Sequence, residues 1–172
     1  MGKLESKTFT LSHLHTFKLY KLIRTFAALF IVGIMIKQRL NGGRTEVFDI
    51  IRKKWVPLTE EEKVRQYLIH FLVSQKRIPE SHLSVERQIT VNGLTRRYDL
   101  VVFDRAGAPW LVIECKAPQV ELTQTVVEQV GRYNKTLRAP YISVSNGRQH
   151  FFFQIDFETE KITYLEDMPE YQ

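Results

Sequence analysis

Apolar and polar residues along this chain change period several times, and each change marks an element. From residue 59 to about Gln75, apolar side chains recur at helical spacing at Val64, Leu68, Phe71 and Leu72, which predicts an amphipathic helix. Thr59 is placed to cap its first turn, Glu62 three residues on completes a capping box, and Glu60 and Glu61 suit the positive end of the helix dipole. Pro79 closes the connection. From Leu83 the period drops to two: Ser84 to Val91 and Leu94 to Phe103 read as strands joined at Asn92-Gly93, a pair that favours a two-residue hairpin turn. A second turn at Ala106-Gly107 leads into a third strand, Trp110 to Cys115, which Pro118 stops. Leu122 to about Leu137 reads as a second helix with Val126, Val127, Val130 and Tyr133 on one side, ended by Pro140. Tyr141 to Ser145, Arg148 to Ile155 and Lys161 to Leu165 read as further strands. Upstream, Gly42 and Gly43 mark a turn, and the residues from Thr45 to Trp55 a short extended or hairpin segment. The order helix, three-strand meander, helix, strands predicts an α/β fold with a mixed central sheet flanked by helices.

The meander has a register that can be worked out. With Asn92 and Gly93 as loop residues, Glu86 falls opposite Asp99 and Gln88 opposite Arg97. A turn symmetric about Ala106-Gly107 places Asp99 opposite Glu114 and Arg97 opposite Lys116. Residues directly opposite point to the same face, so Glu86, Asp99 and Glu114 should form one row of acids across three strands. A bulge in either turn would break the row. Like charges side by side on a sheet repel and call for a cation. Arg97 and Lys116 one step along could supply it as a structural charge network. A divalent metal is the alternative, since carboxylates suit magnesium, which takes one or two protein acids and keeps several waters. The other face carries Leu100, Val102, Leu111, Ile113 and Cys115, so Cys115 is expected as a small core residue. Asp99 and Glu114 with Lys116 on the same strand parity fit phosphodiester hydrolysis: the acids hold a metal, and the ammonium orients water or offsets charge developing on phosphorus.

Composition narrows the picture further. The chain has 172 residues, 44% apolar and 26% charged, enough for one packed domain and too apolar for disorder. Its single cysteine excludes an intrachain disulfide, and the histidines (His13, His15, His70, His82, His150) are too scattered for a zinc site, so a reducing, cytoplasmic setting is expected. The net charge of +6 is unevenly spread: residues 1–58 hold 11 Lys/Arg against 3 acids, residues 59–172 hold 14 against 16. The basic excess therefore lies outside the segment that carries the candidate chemistry. It could touch phosphate or anionic lipid, or be a solvated leader. Phe26 to Ile36 is eleven apolar or glycine residues, about half of the ~20 a membrane span needs, and no small-residue cleavage site follows it. No membrane association is expected. Residues 1–34 read as an extension and 35–172 as the compact domain.

The segments Arg97-Tyr98-Asp99-Leu100-Val101-Val102-Phe103 and Leu111-Val112-Ile113-Glu114-Cys115-Lys116-Ala117 resemble the core motif of the PD-(D/E)xK nuclease superfamily. More closely, the chain resembles the amino-terminal nuclease domain of type I restriction enzyme R subunits over about residues 35–165. In that resemblance the Glu61 to Gln66 run matches the acidic helix, Glu86 the strand acid, Gln129-Val130-Gly131-Arg132-Tyr133-Asn134 the Gln-x-x-x-Tyr motif, and Ser145-Asn146-Gly147 a strand-ending Asn-Gly. The resemblance implies a restriction-endonuclease-like fold and a magnesium-dependent DNA endonuclease, with manganese able to substitute. It implies Asp99, Glu114 and the Cys115 backbone carbonyl as metal ligands, with Glu61 reaching the metal directly or through water, and Lys116 as the assisting lysine. Gln129 and Tyr133, four apart on one helix face, could act together near phosphate or Lys116, or simply pack. Glu62 is expected to point elsewhere. Arg65, Arg97 and Arg132 are candidate phosphate contacts, and restriction-modification or repair subunits are the implied partners.

Two departures stand out. Tyr98 replaces the usual proline before the acid, and no translocase follows, so DNA translocation by this polypeptide alone is not expected. A repair or recombination nuclease of the same superfamily and a non-catalytic nucleic-acid-binding module remain the alternatives. Asp104 and Asp156 read as turn or edge residues. Trp55, Trp110 and Phe151-Phe152-Phe153 read as core, with Trp110 open to a role on the active face.

Overall fold

A computed structural model describes residues 36–91 and 94–171, the side chains of 89–91, 94–96 and 133 excepted. The expected extension, the Asn92-Gly93 turn, the Tyr133 side chain and all but the last residue of the 26–36 apolar stretch lie outside it. Three short strands open the described chain: β1 (Gln38–Asn41), β2 (Arg44–Asp49) and β3 (Lys54–Pro57), an antiparallel sheet in which Gly42 and Gly43 take the positive φ that its first turn needs. Helix α1 (Glu60–Ser74) follows, and its Glu62 N–H donates to the Thr59 hydroxyl at 3.1 Å, as the capping pattern predicts.

The central sheet has six strands in the order β11-β10-β9-β8-β7-β4, with β4 (Leu83–Val85), β7 (Leu100–Phe103), β8 (Pro109–Cys115), β9 (Tyr141–Ser145), β10 (His150–Asp156) and β11 (Lys161–Leu165). Between β8 and β9 runs α2 (Gln124–Leu137), the crossover that two parallel neighbours require. The sheet is therefore mixed and flanked by helices, as expected. Each face buries one apolar layer. Leu100, Val102, Leu111, Ile113 and Cys115 pack with Val64, Ile69 and Leu72 of α1; Val101, Val112, Ile142 and Val144 pack with Val130 on the other side.

The meander keeps its predicted register but not its continuity. Val85 pairs with Leu100, and Leu100 with Ile113, in line with the expected pairing. The long strands break at the same height, where Glu86 adopts a positive φ of 49° and Tyr98-Asp99 leave the ladder. Beyond the break, β5 (Gln88–Val91) and β6 (Leu94–Arg97) form a separate two-stranded ribbon, with Gln88 opposite Arg97. The expected row of three acids on one continuous face is thus replaced by acids at a break in the strands, where the Glu86 N–H still donates to the Asp99 carbonyl, and Arg97 belongs to the ribbon instead of facing Lys116. The bulge lies farther on, at Val102/Phe103, where Asp104 takes the Ala106 and Ala108 amides into its carboxylate. Trp110 is core: it is buried and meets Tyr141 and Tyr171 edge-on, in the α1-side cluster.

Candidate active site

Asp99 and Glu114 stand at the ends of neighbouring strands, where β7 begins and β8 ends. Asp99 is clamped from two sides. Its Oδ2 accepts the Cys115 N–H at 2.6 Å and its Oδ1 accepts Arg65 Nη2 at 2.8 Å. Glu114 Oε1 accepts Lys116 Nζ at 2.6 Å and Gln129 Nε2 at 3.2 Å. Burial, and then the charge of Asp99, push the Glu114 carboxyl up to about 7 in spite of the lysine. Lys116 is pulled down by burial, but its hydrogen bond to Glu114 and that carboxylate's charge outweigh this, so it stays an ammonium. Asp99, Glu114, Lys116 and Gln129 are brought together as expected, and the Cys115 thiol is fully buried in the apolar layer.

Lys116 is held by the next strand. Its N–H donates to the Ser145 carbonyl at 2.8 Å. The Ser145 hydroxyl contacts His150 Nδ1 at 2.8 Å and accepts the Gly147 N–H at 3.1 Å. Asn146 Oδ1 accepts the Arg148 and Gln149 amides while its Nδ2 donates to the Val120 carbonyl, so the Asn-Gly segment ties the turn after β9 to the chain after Lys116. Gly147 sits at φ +78°, and a Cβ there would lie 3.1 Å from Val64 of α1. Asn134 closes α2 by exchanging both side-chain hydrogen bonds with Ala139.

Helix α1 is rolled relative to expectation. Glu62, Arg65, Gln66 and Ile69 are buried, whereas the Glu61 side chain is 45% exposed. Glu62, expected to point elsewhere, faces inward and takes Arg52 and Gln66 on Oε1 and Arg65 on Oε2. Its carboxylate is drawn there instead of returning to the Thr59 amide, which bonds the Pro57 carbonyl. Glu61 reaches Arg65 at 3.1 Å, and through it Asp99. Arg65, expected against phosphate, is instead only 3% exposed, its guanidinium taken up by Glu61, Glu62, Glu86 and Asp99. Burial lowers its proton affinity, but the surrounding carboxylates, Asp99 first, outweigh that and hold it above its ordinary value. Arg97 remains 61% exposed while meeting Glu86 at 3.3 Å, and Arg132 is exposed on α2.

Sequence reasoning missed the other half of this network. Asp49, fully buried, accepts the Ile51 and Arg52 amides, Arg52 Nε and Gln66 Nε2, at 2.6–2.8 Å. Arg52 then reaches Glu62 and Glu86. The only signal in the sequence was an acid followed three residues later by arginine after a short strand, which fits a surface turn equally well.

Residues 60–169 match the family described as the type I restriction enzyme R protein N terminus. The chain belongs to this family. No curated protein matches it. Among solved structures, a fragment of a putative HsdR subunit of a type I restriction enzyme from Vibrio vulnificus YJ016 is similar, at 17% identity and a TM-score of 0.48, over 65% of this chain and 24% of that one. The match thus takes in about a quarter of that chain's length. Within the family-matched segment lie Asp99, Glu114, Lys116, Gln129 and Tyr133; Asp49 and Arg52 precede it. Among the described residues no helix is long and apolar enough to cross a membrane.

The donor set bears on which ion could bind. Among the described residues no group of three or more His, Cys, Asp or Glu side chains is arranged to hold a metal. What the site offers is carboxylate oxygen, at Asp99 and Glu114. That suits magnesium, which keeps most of its waters, better than zinc. The charge count agrees: with Glu114 and Lys116 taken as one ion pair, the five other carboxylates (Asp49, Glu61, Glu62, Glu86, Asp99) face three guanidiniums (Arg52, Arg65, Arg97), leaving two negative charges.

Proposed function

We propose that this protein is a divalent-metal-dependent DNA endonuclease, the nuclease domain of a type I restriction R subunit, built from residues 35–172. The observation that carries the reading is the buried Glu114, whose carboxyl is pushed up by burial and by Asp99 while Lys116 lies 2.6 Å away. Asp99, Glu114 and the Cys115 carbonyl would hold magnesium or manganese, with Glu61 at the rim. Such an ion lowers the pKa of a bound water and draws charge from a phosphate oxygen.

This chain's own residues do the rest. Asp99 is fixed by the Cys115 amide and Arg65, so its carboxylate does not have to be ordered when the ion arrives. Lys116 carries the positive charge that steadies an attacking water or the charge growing on phosphorus. Gln129 holds Glu114 from the helix side, and Tyr133, one turn on, belongs to the same helix. Arg97 and Arg132 are the exposed cations available to phosphate. Partner subunits of a restriction-modification complex would bring the DNA and choose the cut site.

The test is cleavage of supercoiled and linear DNA with magnesium, manganese or EDTA. The native chain should cut in a metal-dependent way, and Lys116→Ala should lose about 100-fold or more. Intact DNA with native protein, or full activity in the variant, would overturn the proposal.

A further inference from the structure

Arg52 lies before the family-matched segment, in the turn between β2 and β3, yet each nitrogen of its guanidinium meets a carboxylate from a different element. Nε bonds Asp49 at the end of β2, Nη2 bonds Glu62 on α1, and Nη1 bonds Glu86 at the strand break. Asp49 locks this turn through two backbone amides and reaches α1 through Gln66. Glu62 is shared: one oxygen goes to Arg52, the other to Arg65. Arg65 in turn holds Asp99. A continuous relay runs from Asp49 through Arg52, Glu62 and Arg65 to Asp99.

We infer that Arg52 is a positioning residue for the Asp99 carboxylate, so that the amino-terminal β-sheet is a working part of the site. The inference rests on the nuclease reading for its kinetic consequence but not for its geometric one. Without Arg52, Glu62 and Glu86 each lose a cation: Arg65 is then the guanidinium left on Glu62, and Glu86 keeps only the exposed Arg97 and the more distant Arg65, so both acids draw on Arg65. Arg65 already reaches Glu62 and lies 3.5 Å from Glu86, so it is pulled toward them and away from Asp99. The Asp99 carboxylate then loosens, and with it the bond it accepts from the Cys115 amide. A lysine cannot replace the arginine, because one ammonium does not span three carboxylates arriving from three directions.

Arg52→Met and Arg52→Lys in the full chain test this, with denaturation used to set conditions where each variant is folded. The geometric readout is amide hydrogen exchange. The Cys115 amide should exchange at least 10-fold faster in Arg52→Met, while those of Leu111 and Ile113 in the same strand are unchanged. The kinetic readout is DNA cleavage against magnesium concentration. The maximal rate should fall at least 10-fold and the magnesium concentration for half-maximal rate should rise, since the loosened Asp99 is a carboxylate that would hold the ion. Arg52→Lys should resemble Arg52→Met in both. Unchanged Cys115 exchange in folded Arg52→Met, or full recovery by Arg52→Lys, would overturn the inference. If the native chain does not cleave DNA, the nuclease reading fails and the exchange measurement still decides the role of Arg52.

Discussion

Replacing Glu114 by glutamine isolates the charge that the site holds under strain. In the native chain this carboxyl is pushed from 4.5 up to about 7, first by burial and then by Asp99. A group whose folded-state pKa is raised stabilises the fold fully below its unfolded value, and that contribution is lost as pH rises through the folded value. Between pH 4.5 and about 7 the metal-free native protein should therefore lose stability through this one residue. At 1.36 kcal/mol per unit the loss is about 3 kcal/mol. Glutamine keeps the shape and an oxygen for Lys116 but never ionises, so Glu114→Gln should escape the loss. Thermal melts in EDTA from pH 5 to 8.5 read the effect. The variant should melt close to the native protein at the acid end and higher at pH 8, by about 2–4 °C per kcal/mol for a domain of this size. Manganese should raise the native melting temperature at pH 8 and leave that of the variant unchanged. A gap that stays constant across the pH range, or a variant less stable at pH 8, would refute the reasoning.

Two further outcomes follow from the support around the lysine. Gly147→Ala places a methyl group 3.1 Å from Val64 on a backbone with φ +78°, and should cost about 1–3 kcal/mol in urea denaturation; a cost near zero would mean that α1 shifts freely. His150 is held down to about 4 by burial. A depressed histidine stabilises above its unfolded value and loses that contribution as pH falls, so stability should decline from about pH 6.5 toward 4. His150→Gln should flatten that decline in urea midpoints across the range; an unchanged slope would place the acid sensitivity elsewhere.

Much of this was legible because the signals were local. Thr59 and Glu62 marked the start of α1, and the spacing of the two turns fixed which residues lie opposite in the meander. The lysine and both acids followed from strand parity and the Glu-x-Lys pattern. The roll of α1 was not legible, because it is decided by Asp49 and Arg52, which pull Glu62 and Gln66 inward from another part of the chain. Apolar periodicity alone favoured the Val64, Leu68, Phe71 and Leu72 side, which left Ile69 out and pointed Glu62 elsewhere. Glu86 was assigned to a continuous strand for the same reason. Its positive φ comes with contacts to Arg52, Arg65 and Arg97 that no neighbouring residue announces.

The break at Glu86 and Asp99 has a consequence for how the domain is made. Residues 49, 52, 62, 65, 86, 99 and 114 meet at one place; the stretch from 49 to 65 brings four of them, and the other three arrive only from segments much farther along the chain. Contacts so distant along the chain carry a loop-closure cost and slow folding. A partly synthesised or partly unfolded molecule therefore carries these acids scattered, and the proposed site is completed only with the finished fold.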